Sequence, residues 1–156
     1  MEKEAIKILM KEIPLLNELD DNEKDTMTLY LDYQKKPNES TIINEGEIGD
    51  SIIYIVSGEV KVSLHTPVGS NDPPLRMLGK GEVVGEMAIL SSNNKRSATV
   101  TSVSDIELLV LSKKAYESIV LKYNKIAFKI LKTITSNLCD RIKQQSDQLV
   151  FLRLFG

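Results

Sequence analysis

The spacing of apolar and polar residues in this 156-residue chain begins as that of helices. Over residues 3–12 apolar side chains recur at helical intervals among alternating charges, and Pro14 ends that run. Asp20 and Glu23 form the capping-box pattern of a second helix, which we expect to extend to about Leu31. The N-terminal segment is therefore predicted to consist of two helices.

After these helices the pattern changes to that of β-strands. Short runs rich in β-branched residues alternate with Gly, Pro and Asn, which favour turns. The predicted strands are 41–44, 52–56, 60–64, 75–78, 97–103 and 106–111. Residues 66–74 (TPVGSNDPP) have the composition of a connecting loop. Many short strands at this spacing predict a sandwich or a jelly-roll barrel.

Helical spacing returns near the C-terminus. Ser112 is placed to cap a helix that ends near Tyr123, and a long final helix is predicted over residues 125–153. This last helix carries an apolar stripe, interrupted by the polar Gln145, that resembles a coiled-coil seam with a discontinuity. The stripe consists of Leu131, Ile134, Leu138, Ile142, Leu149 and Leu152. We expect its first half to pack on the strands and the part beyond Ile142 to extend past the domain.

The order of these elements predicts an α+β fold. It would be a β jelly-roll barrel of about eight short strands with N-terminal helices and a long C-terminal helix. We assign residues 1–156 to a single domain, with helices at 1–31, the jelly roll at 32–111 and the C-terminal helices at 112–156. The hydrophobic fraction of 42% and the charged fraction of 27% are ordinary for a globular protein.

Charge and cysteine content exclude several classes of protein. The net charge of −2 predicts no general attraction to nucleic acid or to an anionic membrane. Cys139 is the only cysteine, which excludes an internal disulfide and a four-cysteine metal site and suits a reducing cytosol. The sequence shows neither an apolar run long enough to span a membrane nor a signal-peptide pattern. We therefore expect a cytoplasmic protein.

Enzymatic functions fit the sequence poorly. A metal-dependent cupin shares the barrel shape but needs several histidines, and His65, expected to be exposed at a strand end, is the only one. Gly79, Lys80 and Gly81 lack the spacing of a phosphate-binding loop, so they are expected to form a turn. Haem and iron–sulfur sensors need more cysteine and histidine ligands than this chain has. The sequence predicts neither an enzyme nor a metal site.

Residues 85–100 (GEMAILSSNNKRSATV) carry the candidate chemistry. A glycine turn opens onto a short apolar helix with Glu86 in its first turn, and Arg96 begins a strand-like run. Free N–H groups at a helix N-terminus favour an anion, and the planar fork of a guanidinium suits phosphate oxygens. Glu86 would be repelled by that phosphate unless it faced a donor such as a ribose hydroxyl. The spacing therefore predicts a site for one phosphate and one sugar.

This stretch resembles the phosphate-binding cassette of cyclic nucleotide-binding domains. The cassette has Gly-Glu, small or apolar residues, a variable loop, and then Arg, a small residue, Ala and a β-branched pair. The spacing is similar to that of bacterial catabolite activator proteins and one residue longer than is usual in protein kinase A regulatory subunits. Upstream, residues 42–62 resemble the first hairpins of the family, with Gly46, Gly49 and Gly58 at the expected turns. The resemblance extends from about Leu15 to the C-terminus.

The resemblance implies a set of ligand-binding residues. They are Val84, Gly85, Glu86, Met87, Ala88, Arg96, Ser97, Ala98 and Arg141. In this assignment Arg96 binds the phosphate and Glu86 binds the ribose. Arg141 falls where the C-terminal helix of the family contacts the base, so it is either stacked on a purine or an ordinary surface arginine.

The function that the resemblance implies is that of a cyclic nucleotide sensor or regulatory module. A hydroxyl after the arginine suits guanine, but bacterial activators with the same serine as Ser97 use cyclic AMP, so we favour cyclic AMP over cyclic GMP. No metal or other cofactor is expected. Two alternatives stay open: a ligand-free interaction scaffold on the same fold, and the sensor fragment of a transcription factor or channel.

The resemblance also implies partners. In the activator family the final helix pairs two subunits, which implies a homodimer through that helix. A helix-turn-helix motif would follow this helix in an activator, and the given chain has no residues for it, so we expect no DNA binding by this chain alone. A membrane partner is not expected, and the downstream protein is not identified by the residues.

Overall fold

The computed structural model describes residues 2–64 and 74–155. Within these ranges the α-helices are α1 (Lys3–Met10), α2 (Asp21–Met27), α3 (Glu86–Leu90), α4 (Lys113–Lys122) and α5 (Asn124–Phe155), and Pro14–Leu16 form a short 3-10 helix. The strands are β1 (Leu31–Lys36), β2 (Thr41–Ile43), β3 (Ser51–Ser57), β4 (Val60–Ser63), β5 (Arg76–Leu78), β6 (Val83–Val84), β7 (Thr99–Ser102) and β8 (Ile106–Ser112). His65 and nearly all of the predicted loop 66–74 lie outside the described residues.

The start of α2 follows its capping sequence, but its end differs from the prediction. The Glu23 N–H donates to Asp20 Oδ1 over 2.8 Å, and the Asp20 N–H donates to Glu23 Oε2 over 2.9 Å, so the capping box is present. The helix ends at Met27 rather than near Leu31, which instead begins β1 and pairs with Leu111 of β8. Pairing with β8 satisfies the backbone of this segment better than one more helical turn would.

The strands form two four-stranded antiparallel sheets. Their orders are β1-β8-β3-β6 and β2-β7-β4-β5. Each of the six predicted strands corresponds to an observed strand, whereas β1 and the two-residue β6 were not predicted. The helices, the antiparallel sheets and the long C-terminal helix confirm the α+β class; the closed jelly-roll form stays a prediction.

The core has two layers because β3 is buried on both faces. Side chains alternate across a strand, so Ile52 and Tyr54 face the helices while Ile53 and Ile55 face the other sheet. The layer between the sheets draws apolar residues from both of them, such as Val100 of β7. The helical layer is closed by α1, α4 and the first half of α5.

Helix α5 leaves the core about halfway along its length. Ile126, Ala127, Ile130 and Ile134 are buried, and every residue from 142 to 155 is exposed. Ile134 is therefore part of the domain core, whereas the rest of the predicted stripe is at least partly accessible. No helix within the described ranges combines the length and the apolar character needed to cross a membrane.

Candidate functional site

A left-handed glycine turn positions the candidate site between β6 and α3. Gly85 has φ +80°, a conformation that side chains other than glycine rarely adopt. A Cβ at this position would collide with Nη1 of Arg96 and would lie 2.9 Å from the Ser51 carbonyl oxygen. Gly49 is similarly constrained, because a Cβ there would collide with the side chain of Ala88. The two glycines let the backbone approach Arg96 closely.

The structure brings all nine predicted residues to the wall of one cavity of about 110 Å³. Eight of them come from β6, α3 and the segment before β7, and Arg141 comes from α5. Four further apolar residues of the wall were not predicted from the sequence: Ile43, Val62, Leu78 and Val100. Their alternation along strands marks them as core residues, and only the packing of the two sheets shows that they border a cavity.

Arg96 is buried and links the cassette to the start of β3. Its Nη1 donates to the carbonyl oxygens of Ser51 and Gly85, at 2.9 and 2.8 Å. Its Nη2 donates to Ser51 Oγ at 3.0 Å and to Asp50 Oδ1 at 3.3 Å. Burial lowers the pKa of the Arg96 guanidinium, and the nearby Asp50 carboxylate opposes that shift. Since the Asp50 side chain is 85% exposed, it is the partner that an incoming anion can replace most easily.

Glu86 is buried at the first position of α3 and is paired with Arg141 of α5. Arg141 Nη1 donates to Glu86 Oε1 over 3.0 Å, and Arg141 Nη2 donates to the Val83 carbonyl oxygen over 2.7 Å. Burial raises the pKa of the Glu86 carboxyl, and the charge of Arg141 opposes the shift. With a side chain only 15% exposed, Arg141 is not a free surface arginine in this structure. This pair joins the long helix directly to the cassette.

Two buried groups at or near this ion pair can form further hydrogen bonds. Nε of Arg141 and the Tyr54 hydroxyl are buried without a hydrogen-bond partner among the described residues. Burial raises the pKa of the Tyr54 hydroxyl, and the charges of Tyr116 and Glu86 add to the shift. A buried donor without a partner costs free energy. A ligand polar group that accepts a hydrogen bond here therefore contributes more binding free energy than the same contact would at the surface.

The charged groups of the cavity favour a single anion. Its described wall contains two guanidinium groups, Arg96 and Arg141, and one carboxylate, Glu86. Ser97 and Met87 lie on the exposed side, with Ser97 Oγ 3.9 Å from Met87 Sδ. Over the described part of the chain, no three His, Cys, Asp or Glu residues are grouped as a metal site requires.

Comparisons with known proteins find a matching family model and similar sequences. The family model described as "Cyclic nucleotide-binding domain" matches residues 33–123. The cyclic AMP receptor protein of Thermus thermophilus is 31% identical over 118 residues, which are 76% of this chain and 54% of that protein. A cAMP-dependent protein kinase regulatory subunit of Colletotrichum orbiculare is 31% identical over 108 residues, 69% of this chain and 26% of that protein.

The fold is also similar to solved structures. The crystal structure of a cyclic nucleotide-binding domain from Methylobacillus flagellatus superposes with a TM-score of 0.80 at 24% sequence identity. The match covers 95% of this chain and 82% of that one. The two curated relatives are longer proteins, of which this chain spans about half or less.

Proposed function

Because this chain belongs to the cyclic nucleotide-binding domain family, we propose that it is a sensor or regulatory module whose ligand binds in the cavity between α3 and α5. One observation carries the proposal: a cation and a buried acid of residues 85–100 meet the distant cation Arg141 at a single cavity with an apolar wall. A cyclic nucleotide matches this arrangement group by group, since it combines one negative charge, a ribose hydroxyl and a flat base.

The phosphate is assigned to the turn between Gly85 and Ala88, within reach of Arg96. The free N–H groups of α3 point out of its first turn, and the Arg96 guanidinium is held beside them by Ser51 and Gly85. The phosphate would replace the exposed Asp50 carboxylate as the charged partner of Arg96. Such charge-assisted contacts are stronger than neutral hydrogen bonds, which supports Arg96 as the principal anchor.

The ribose is assigned to Glu86 and the base to the region under α5. A carboxylate accepts a hydrogen bond from the 2′-hydroxyl, so the ribose would share or take over the oxygen that Arg141 now contacts. The Arg141 guanidinium would then be available to stack on the purine. The apolar side chains Val62, Leu78 and Val100 support this placement, since a base needs an apolar surface.

Cyclic AMP is the favoured ligand over cyclic GMP. The two relatives described above are named for cyclic AMP, and both match most of this chain. The Ser97 hydroxyl is the feature that would favour guanine, and it lies on the exposed side of the cavity. We therefore propose cyclic AMP, without another cofactor, for a cytoplasmic regulator that is not an enzyme.

Helix α5 is proposed as both lid and coupling element. Arg141 connects it to the ligand site, and its exposed half extends beyond the domain. A ligand that changes the Glu86–Arg141 contact would bind more tightly to one position of α5 than to another. That difference in affinity sets how far the ligand shifts the equilibrium between the two helix positions. The exposed half would pair with a second copy and transmit the shift to a downstream protein. The two sheet orders support a jelly roll for the body that holds the lid.

The experiment that tests the function is calorimetric titration of the purified chain with cyclic AMP and with cyclic GMP. Arg96→Ala should weaken binding about 30-fold or more, because truncating one partner of a desolvated charge pair costs roughly 2–5 kcal/mol. Lys95→Ala is the matched control, since it removes an adjacent but exposed cation. An unchanged dissociation constant for Arg96→Ala, in a variant that still unfolds cooperatively, would refute the phosphate assignment.

One observation favours the ligand-free scaffold as a second candidate. The Nη1 and Nη2 donors of Arg96 already have protein acceptors, including the Asp50 carboxylate outside the cavity wall, and Glu86 is paired with Arg141. Each charge of the site therefore has an opposite partner without a ligand. In that case neither cyclic nucleotide would give a binding signal with the unmodified chain. The same titration therefore separates the two candidates.

A further inference from the structure

Three buried side-chain atoms lack hydrogen-bond partners among the described residues: the Tyr54 hydroxyl oxygen, Asn137 Oδ1 and Arg141 Nε. Such groups are uncommon in native structures, because each has lost its hydrogen bonds to water without a replacement. Asn137 and Arg141 are four residues apart in α5, so they lie on the same side of that helix. Tyr54 is in β3 and belongs to the helical layer of the core. The contact between β3 and α5 therefore contains all three atoms.

The sheet register places Tyr54 beside a residue that Arg141 contacts. Tyr54 of β3 is paired with Val83 of β6, and paired residues of neighbouring strands project to the same face. The Val83 carbonyl oxygen accepts the hydrogen bond of 2.7 Å from Arg141 Nη2. Leu138, which follows Asn137 in α5, packs against the cluster of buried residues that contains Tyr54. The tyrosine ring therefore extends toward the part of α5 that carries the other two atoms.

The three atoms are complementary as hydrogen-bond donors and acceptors. The Nε–H of a guanidinium only donates, the side-chain oxygen of an asparagine only accepts, and a tyrosine hydroxyl does both. Two hydrogen bonds, from Arg141 Nε to the Tyr54 oxygen and from the Tyr54 hydroxyl to Asn137 Oδ1, would satisfy all of them. Neither bond is present in this structure, so their formation requires Arg141 and Asn137 to move relative to β3.

The proposed ligand gives a reason for such a movement. Glu86 Oε1 accepts a hydrogen bond from Arg141 Nη1, and the ribose assigned to Glu86 would share or take over that oxygen. The guanidinium then loses part of the contact that holds it in its present orientation. Tyr54 does not line the cavity, so its hydroxyl is not a contact of the ligand and stays available to Arg141. A hydrogen bond from a charged donor is stronger than one between neutral groups, so this bond would stabilise the new position of α5.

We propose that Tyr54 is a positioning residue of the nucleotide site. In the ligand-bound chain its hydroxyl accepts from Arg141 Nε and donates to Asn137 Oδ1, which fixes α5 over the ligand. The proposal rests on the proposed function and adds to it a residue outside both the cassette and the cavity wall. Tyr54 acts through Arg141 and not on the nucleotide itself. Loss of its hydroxyl should therefore affect the bound state and not the folding of the ligand-free chain.

Tyr54→Phe tests this role, since it removes the hydroxyl and keeps the ring in the core. Titration of the full chain with cyclic AMP should show an affinity about fivefold or more below that of the unmodified chain. Chemical denaturation without nucleotide should show an equal or larger free energy of unfolding, because a buried hydroxyl without a partner has been removed. Tyr116→Phe is the matched control: it removes a hydroxyl from a half-buried ring packed against the same cluster, and it should leave the affinity unchanged.

A double-substitution cycle tests the partner of the hydroxyl. Asn137→Leu should also weaken binding of cyclic AMP. When it is combined with Tyr54→Phe, the further loss should be no more than about twofold, because both changes interrupt one chain of hydrogen bonds. Losses that simply add would overturn the assignment of Asn137 as the acceptor.

Nuclear magnetic resonance separates a hydrogen-bond role from a general change in packing. The Nε–H signal of Arg141, identified by its absence in Arg141→Lys, should exchange more slowly with water when cyclic AMP is added. Tyr54→Phe should abolish that slowing, and Tyr116→Phe should not. Slowing that persists in Tyr54→Phe, or an unchanged affinity of that variant, would overturn the role of Tyr54 while leaving the proposed function. If the unmodified chain binds neither cyclic nucleotide, the proposed function itself fails and the role of Tyr54 fails with it.

Discussion

At the scale of residues, the site depends on a few side chains that hold one another in place. Arg96 is fixed by two carbonyl oxygens, Glu86 is fixed by Arg141, and the backbone of Gly85 fits between them. Neighbouring charges and burial act in opposite directions on the pKa values of Glu86 and Arg96. Functional groups that are already ordered before a ligand arrives lose less entropy when it binds.

Substitution of Gly85 tests this fit. Gly85→Ala should cost about 1–3 kcal/mol of the free energy of unfolding and weaken nucleotide binding about tenfold or more, because its Cβ collides with Arg96. Gly46→Ala is a matched control, since Gly46 has φ +82° but no atom within 4 Å of the added Cβ. Gly46→Ala should lower the free energy of unfolding only by the cost of its backbone strain, without an effect on binding. Chemical denaturation and calorimetry measure both quantities, and equal effects of the two substitutions would contradict the proposed contact.

At the scale of elements, the two halves of α5 have different environments. The first half closes the helical core, and Arg141, just before the exposed half, connects the helix to the cassette. Breaking a buried ion pair by removing one partner is strongly destabilising, since the other charge stays buried. Loss of Arg141 should therefore affect the cassette more than loss of the exposed half of α5 does.

Two truncations separate these contributions. A chain ending at Gln145 keeps Arg141, so it should bind nucleotide within about threefold of the full chain. A chain ending at Asn137 loses Arg141 and should bind about tenfold more weakly, with a free energy of unfolding lower by about 2 kcal/mol or more. Calorimetry and denaturation curves give both values. If both truncations bind as tightly as the full chain, α5 contributes to assembly and not to the site.

At the scale of the whole molecule, one ion pair couples two segments that are far apart in sequence. Glu86 belongs to the cassette, and Arg141 belongs to the helix proposed to pair with a second copy. Coupling between ligand and partner needs an element with two arrangements that both sites bias, and α5 is the element proposed to contact both.

Hydrogen exchange tests the coupling in the full chain. Addition of cyclic nucleotide should slow amide exchange over α3 (Glu86–Leu90) and also over residues 138–148, because a ligand beneath the helix stabilises its closed position. The edge strand β1 (Leu31–Lys36) is an internal control and should not change. Protection confined to α3 would mean that the ligand signal does not pass through α5.

The sequence by itself determined the features that depend on local chemistry. Short runs of residues were enough to predict the capping box of α2, the Ser112 cap of α4, the glycine turn at Gly85 and six of the strands. The cassette is contiguous, so its residues could be identified before any packing was known. Local turn and cap preferences are of the order of 1 kcal/mol each and need no tertiary partner.

Only the tertiary structure decided the features that depend on distant partners. Leu31 is in a strand because β8 pairs with it, although its local sequence predicts a helix. Ile134 and Ile142 share one predicted stripe, yet Ile134 is buried in the core and Ile142 is exposed. Arg141 joins Glu86 across the chain, which no local pattern could show. Burial and pairing in the folded chain outweigh local propensity. Removing apolar side chains from water and pairing a buried charge each change the free energy of folding by more than a local preference does.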